Sequence, residues 1–138
     1  MIALLVTLVA APQGPADAML EPLRTGDAAK AAEAMAAPMD LDAKGRSALR
    51  KRLERVVRRA GRLQDWKVVS DAPMPGGARW RLVQVVSHHE KAPVAWAFET
   101  YEVAASKGRK PRIRVLKLAF DAEDPGGFIR ARAAPSAP

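Results

Sequence analysis

Arg79-Trp80-Arg81-Leu82-Val83-Gln84-Val85-Val86-Ser87-His88, Val94-Ala95-Trp96-Ala97-Phe98-Glu99-Thr100-Tyr101-Glu102-Val103 and Arg112-Ile113-Arg114-Val115-Leu116-Lys117-Leu118-Ala119-Phe120 are three runs of β-branched and aromatic residues with turn formers between them. Such runs predict an antiparallel meander over residues 79–120. Side chains alternate along a strand, so the register decides which residues share a face. The register that gathers the large apolar groups sets Thr100 opposite Arg114, Phe98 opposite Leu116, Trp96 opposite Leu118 and Val94 opposite Phe120. An even register in the first hairpin adds Trp80, Leu82 and Val86 to that face. The other face then carries Arg79, Arg81, Val83, Val85, Ala95, Ala97, Glu99, Tyr101, Ile113, Val115 and Lys117. A face rich in Trp and Phe needs a cover, since burying one such side chain stabilises the fold by roughly 1.5–3 kcal/mol.

The cover has to come from upstream. Asp42 is suited to cap a helix over about residues 43–63. Leu49, Leu53, Val56, Val57, Ala60 and Leu63 make one apolar stripe at helical period, with Lys51, Arg52, Arg55, Arg58, Arg59 and Arg62 on the opposite side. A short helix over residues 16–24 ends at Gly26, and Asp27 caps an alanine-rich helix over 28–37 that stops at Pro38. A short strand over 66–70 and a turn over 71–77 lead into the meander. The fold class is α+β: N-terminal helices packed on a curved antiparallel sheet of about four strands.

With 138 residues, the chain has one domain and one core, placed at residues 16–120. Residues 1–11 form an uncharged apolar run, too short to span a bilayer, and read as the apolar part of a secretory signal. The alternative is a buried N-terminal element. Export would make the protein periplasmic or secreted. Residues 121–138 begin with Asp-Ala-Glu-Asp-Pro-Gly-Gly and read as a flexible tail. The absence of cysteine excludes a disulfide scaffold, a thiol nucleophile and cysteine-held zinc or iron–sulfur centres.

No pattern in the chain calls for a metal or a cofactor. His88 and His89 are adjacent, so on a strand they point to opposite faces and chelate poorly together. Glu99 and Tyr101 share a face and are the only candidates for acid–base work. The plainer reading gives Glu99 a salt bridge to Arg81 or Lys117. The formal charge is +8, and its excess sits in residues 44–62, with nine basic residues and one acidic. This basic helix is an ordinary solvated face, a dock for an anionic membrane, or a grip on nucleic acid phosphates. Nucleic acid is disfavoured, because the helix offers no base-stacking aromatics and an exported domain would not meet it.

The pattern Leu23-Arg24-Thr25-Gly26-Asp27, then Gly61-Arg62-Leu63-x-x-Trp66, then aromatic strands closing on Val115-Leu116-Lys117-Leu118-Ala119-Phe120-Asp121 resembles small bacterial domains of unknown function on the nuclear-transport-factor-2-like (cystatin-like) fold. The resemblance spans residues 16–120 and implies a sheet cone closed by helices. That superfamily includes ketosteroid isomerases, dehydratases, polyketide cyclases and many non-catalytic modules. Its enzymes place a tyrosine and acidic residues inside the cone, and here only Tyr101 and Glu99 match in type. The expectation is therefore a non-catalytic domain that binds a small apolar ligand or a protein partner, with Trp80, Trp96, Phe98 and Tyr101 as the lining. The alternative is a cone-type isomerase or hydrolase with Glu99 as base. The partners to weigh are a second copy through the half-apolar outer face, an envelope protein, and an anionic membrane surface at the basic helix.

Overall fold

The computed structural model describes residues 15–133. The signal-like run at 1–11 lies outside the described residues. The order of elements is α1 (Pro15–Leu20), a 3₁₀ turn (Glu21–Thr25), α2 (Ala28–Met39), α3 (Ala43–Ala60), β1 (Leu63–Met74), β2 (Gly77–His89), β3 (Pro93–Val103), β4 (Arg112–Asp121) and α4 (Pro125–Ala133). The strands form one antiparallel sheet in chain order. The α+β class and the helices-then-sheet arrangement are those the sequence predicts.

The helix ends follow from local chemistry. The Asp27 carboxylate accepts the Lys30 N–H at 2.9 Å and opens α2, and Asp42 accepts the Gly45 N–H at 2.8 Å and opens α3. Pro38 does not stop α2 as expected. It sits in the last turn, and the helix closes two residues later at Asp40, whose φ is 57°. Gly61, with φ 86°, ends α3. The apolar stripe Leu49, Leu53, Val56 and Ala60 is buried, as are Leu20, Leu23 and Met35. Ala31, Ala32 and Ala36 let α2 approach its neighbours closely.

The sheet departs from expectation in its faces. His88 pairs with Pro93, so a four-residue tip joins β2 to β3 and the register is odd. Val85 then stands across from Trp96 and Val83 across from Phe98. Trp80, Leu82 and Val86, expected beside Trp96, lie on the opposite face. On β4, Phe120 pairs with Trp96 and Leu118 with Phe98, two residues from the expected partners but on the expected face. A bulge at Leu116 then changes the parity, so Val115 pairs with Thr100. Val115 is accordingly 2% exposed and Leu116 44%, the reverse of the expectation. A second bulge turns Val69 outward on β1, whose twelve residues absorb most of the expected turn.

The C-terminal segment is also a correction. Residues 121–138 were expected to be flexible, yet 125–133 form α4. Asp121 accepts the N–H groups of Glu123 (2.7 Å) and Asp124 (2.8 Å), and Asp124 accepts that of Gly127 (3.1 Å). These caps offset the Pro-Gly-Gly breakers, and Phe128 and Ile129 pack against Leu82, Ala95, Ala97 and Ala119 on the outer face of the sheet.

Candidate functional site

Two polar constructions stand out, one buried and one exposed. The buried one begins at the β2–β3 tip. Gly61 carbonyl can only accept, so His89 Nδ1, at 3.0 Å, carries the proton and donates to it. His89 Nε2 then accepts from Ser87 Oγ at 2.7 Å, and Ser87 Oγ in turn accepts the indole N–H of Trp96 at 2.7 Å. Burial holds the imidazole neutral. Desolvation pushes its pKa below the usual histidine value, against the opposing pull of the Gly61 carbonyl. Ser87 has no accessible surface, so no substrate reaches its hydroxyl. The chain Gly61–His89–Ser87–Trp96 ties the end of α3 to two strands. The same tip adds Lys91 N–H to Ala60 O (2.8 Å), Glu90 N–H to Arg62 O (3.0 Å) and Arg62 N–H to the Glu90 carboxylate (2.8 Å). That carboxylate is held below its usual pKa by the Arg62 backbone N–H first and the guanidinium second.

The exposed construction is the outward side of α3. At about 100° per residue, Lys44, Lys51, Arg52, Arg55, Arg58 and Arg59 fall within an arc of about 120°, opposite the buried stripe. All six are exposed. Arg59 has Glu123 Oε1 at 3.7 Å. The Arg52 guanidinium lies 4.4 Å above the Phe120 ring. Lys44, Lys51, Arg55 and Arg58 have no carboxylate in ion-pair range among the described residues. Arg62 lies past the helix end and is paired with Glu90 at 3.2 Å, outside the arc it was expected to join. Between α3 and the β4–α4 corner is a cleft of roughly 280 Å³, lined by Arg52, Arg55 and Arg59 from the helix and by Phe120, Asp121 and Glu123 from the corner, with Val56 between them.

The residues expected to line a ligand cavity separate. Trp96 and Phe98 have no accessible surface, so no water-sized void touches either ring. Their planes are stacked at 6.4 Å, and Phe120 tilts against Trp96 at 4.9 Å. Trp80 and Tyr101 are cross-strand partners on the other face, and Tyr101 is 39% exposed. Glu99 does not pair with Arg81, which faces the helices and binds Asp71 at 2.6 Å. Glu99 instead accepts the Trp80 indole N–H at 2.7 Å, with Lys117 across from it in the register. His88 and His89 point apart: His88 is exposed against Asp65 at 2.8 Å and His89 is buried. Among the described residues, no group of three acidic, histidine or cysteine side chains is placed to hold a metal.

The sequence reading missed Phe120 and Glu123 as parts of the basic cleft, because both reach it through a corner that no local pattern announces. It also passed over a signal that was present. Lys107, Arg109, Lys110, Arg112, Arg114 and Lys117 crowd the β3–β4 hairpin with no acidic residue among them. Comparison with protein-family models, with curated proteins and with solved structures gives no match to this chain.

Proposed function

We propose that this chain is a non-catalytic docking domain that binds an anionic membrane surface through the outward arc of α3. The reading rests on one observation: six exposed cations share that arc, and four of them make neither an ion pair nor a ring contact among the described residues. The eighteen-residue helix presents this charge, from Lys44 to Arg59, over about 22 Å on a rigid support. Each basic residue held near anionic lipid contributes about 1 kcal/mol, so four unpaired cations give binding of about 4 kcal/mol, weak and reversible. The filled Trp96–Phe98 layer supports a docking role over ligand capture beneath the helices. Export, expected from the run at residues 1–11, would bring the arc alongside envelope lipid.

Cosedimentation with phosphatidylcholine vesicles, with and without phosphatidylglycerol, tests it. Retention should require the anionic lipid and fall away in high salt, where the Debye length shrinks to a few ångströms. A Lys51→Glu, Arg55→Glu, Arg58→Glu triple variant should lose retention and keep its fold, since all three side chains are exposed. Equal retention on neutral vesicles, or none at low salt, would sink the reading.

A further inference from the structure

We infer that the cleft between α3 and the β4–α4 corner is a site for a phosphate monoester, gripped by Arg52, Arg55 and Arg59, with Glu123 as its built-in competitor; this rests on the docking reading and sharpens it. The three arginines stand three and four residues apart, about 4.5 and 6 Å along the helix axis, so long guanidinium arms from all three converge on one tetrahedral anion. Arginine forks match phosphate oxygens in pairs, which a diffuse basic face does not require. The side chains are already organised for this. Arg52 is laid over Phe120, which fixes its position while leaving its N–H groups able to donate. Arg55 lines the cleft with no carboxylate in ion-pair range among the described residues. Arg59 is held by Glu123 through a long 3.7 Å contact, and the Glu123 side chain is 79% exposed. Such a pair is weak and easily exchanged.

The other two carboxylates at the corner, Asp121 in the cleft wall and Asp124, are occupied by backbone N–H groups. Asp121 is engaged first by the backbone N–H groups of Asp124 and Glu123, which hold its pKa below the usual carboxylate range, with Arg132 and Arg59 adding a smaller pull. Glu123 is therefore the loose negative charge in the lining. An arriving phosphate would displace it from Arg59 and take up all three guanidinium groups. Val56 and Phe120 in the lining keep one side of the anion away from water, where charge-assisted hydrogen bonds are stronger. At roughly 280 Å³ the cleft has room for a phosphate and the first atoms attached to it.

The test compares vesicles containing phosphatidic acid, a monoester, with vesicles containing phosphatidylglycerol, a diester, at matched surface potential, alongside a titration with inorganic phosphate followed at the arginine Nε–H signals. The full chain should favour phosphatidic acid. Arg55→Ala should cut that preference about tenfold, the size of one lost charge-assisted contact. Glu123→Gln should raise affinity for phosphatidic acid several-fold, about threefold or more, and leave phosphatidylglycerol nearly unchanged. Lys51→Ala, outside the cleft, should weaken both lipids and leave their ratio alone. If Glu123→Gln strengthens both lipids equally and no preference exists, the phosphate site is overturned while docking stands. If no vesicle is bound yet inorganic phosphate shifts the signals of Arg52, Arg55 and Arg59, the docking reading fails and the site stands for soluble monoesters. If phosphate moves none of them, the site is overturned whatever the vesicles show.

Discussion

On β3, Trp96 and Phe98 face the helices, while Ala95 and Ala97, their neighbours on the same strand, face α4. The helix side is filled with large rings and aliphatics from every element that precedes the sheet. The outer side is lined with alanine and closed over part of its area by nine residues of helix. Its buried Gln84 leaves both amide atoms without a hydrogen-bond partner among the described residues. The difference lies in side-chain size. On the helix side large rings fill the layer and supply much of the area that stabilises the fold, whereas on the outer side alanines let one short helix lie close to the strands. A helix of nine residues is marginal alone in water, so α4 depends on Phe128 and Ile129 for its order.

The sharpest way to break this comparison is to remove one ring from each side. Phe98→Ala should cost about 3–5 kcal/mol, as a large cavity opens in a core that cannot collapse around it. Phe128→Ala should cost about 1–2 kcal/mol, because α4 can detach and cap the loss. Urea denaturation of both variants measures this, and equal costs would mean that α4 belongs to the main core. Next in size is Ser87→Ala. It strands the Trp96 indole N–H and His89 Nε2 at once, on the filled side, at about 1–3 kcal/mol. A loss below half a kilocalorie would show that the chain from Gly61 to Trp96 is decorative.

The smallest effect concerns acidity. His89 is neutral in the fold and its pKa is lowered, so the unfolded chain binds more protons between the folded value and about 6.5. Stability should be full above about pH 6.5 and decline as pH falls through the folded value, by at most about 1.4 kcal/mol per pH unit. Glu90 and Asp121, both lowered, should extend the decline below about pH 4.5. A His89→Gln variant titrated by thermal unfolding should lose the upper part of the slope and keep the lower part. An unchanged profile would place the proton uptake elsewhere.

The strands β2 to β4 were legible because their residues are β-formers between clear turns. The shared face of Trp96, Phe98, Leu118 and Phe120 was legible too, because a slip of one residue would scatter the rings. The side of β2 was not. Leu82, Val83, Val85 and Val86 are apolar at both parities, so alternation carries no information there, and the length of the tip at residues 89–92 decides. The bulges at Val69 and Leu116 are equally silent, since an extra residue leaves no compositional mark. The basic side of α3 could be read from helical period alone. That Phe120 and Glu123 close a cleft beneath it could not, because their approach depends on Asp121 turning the chain into α4.

The β2–β3 tip has a practical consequence. Hairpin ends usually accept nicks and insertions, but here the four residues after His88 carry bonds to the end of α3 and to Arg62. An inserted tag would pull the sheet off its helix. The β3–β4 connection at residues 104–111 is exposed throughout and, among the described residues, hydrogen-bonds within itself from Ser106 to Arg109, so a label or a foreign loop belongs there.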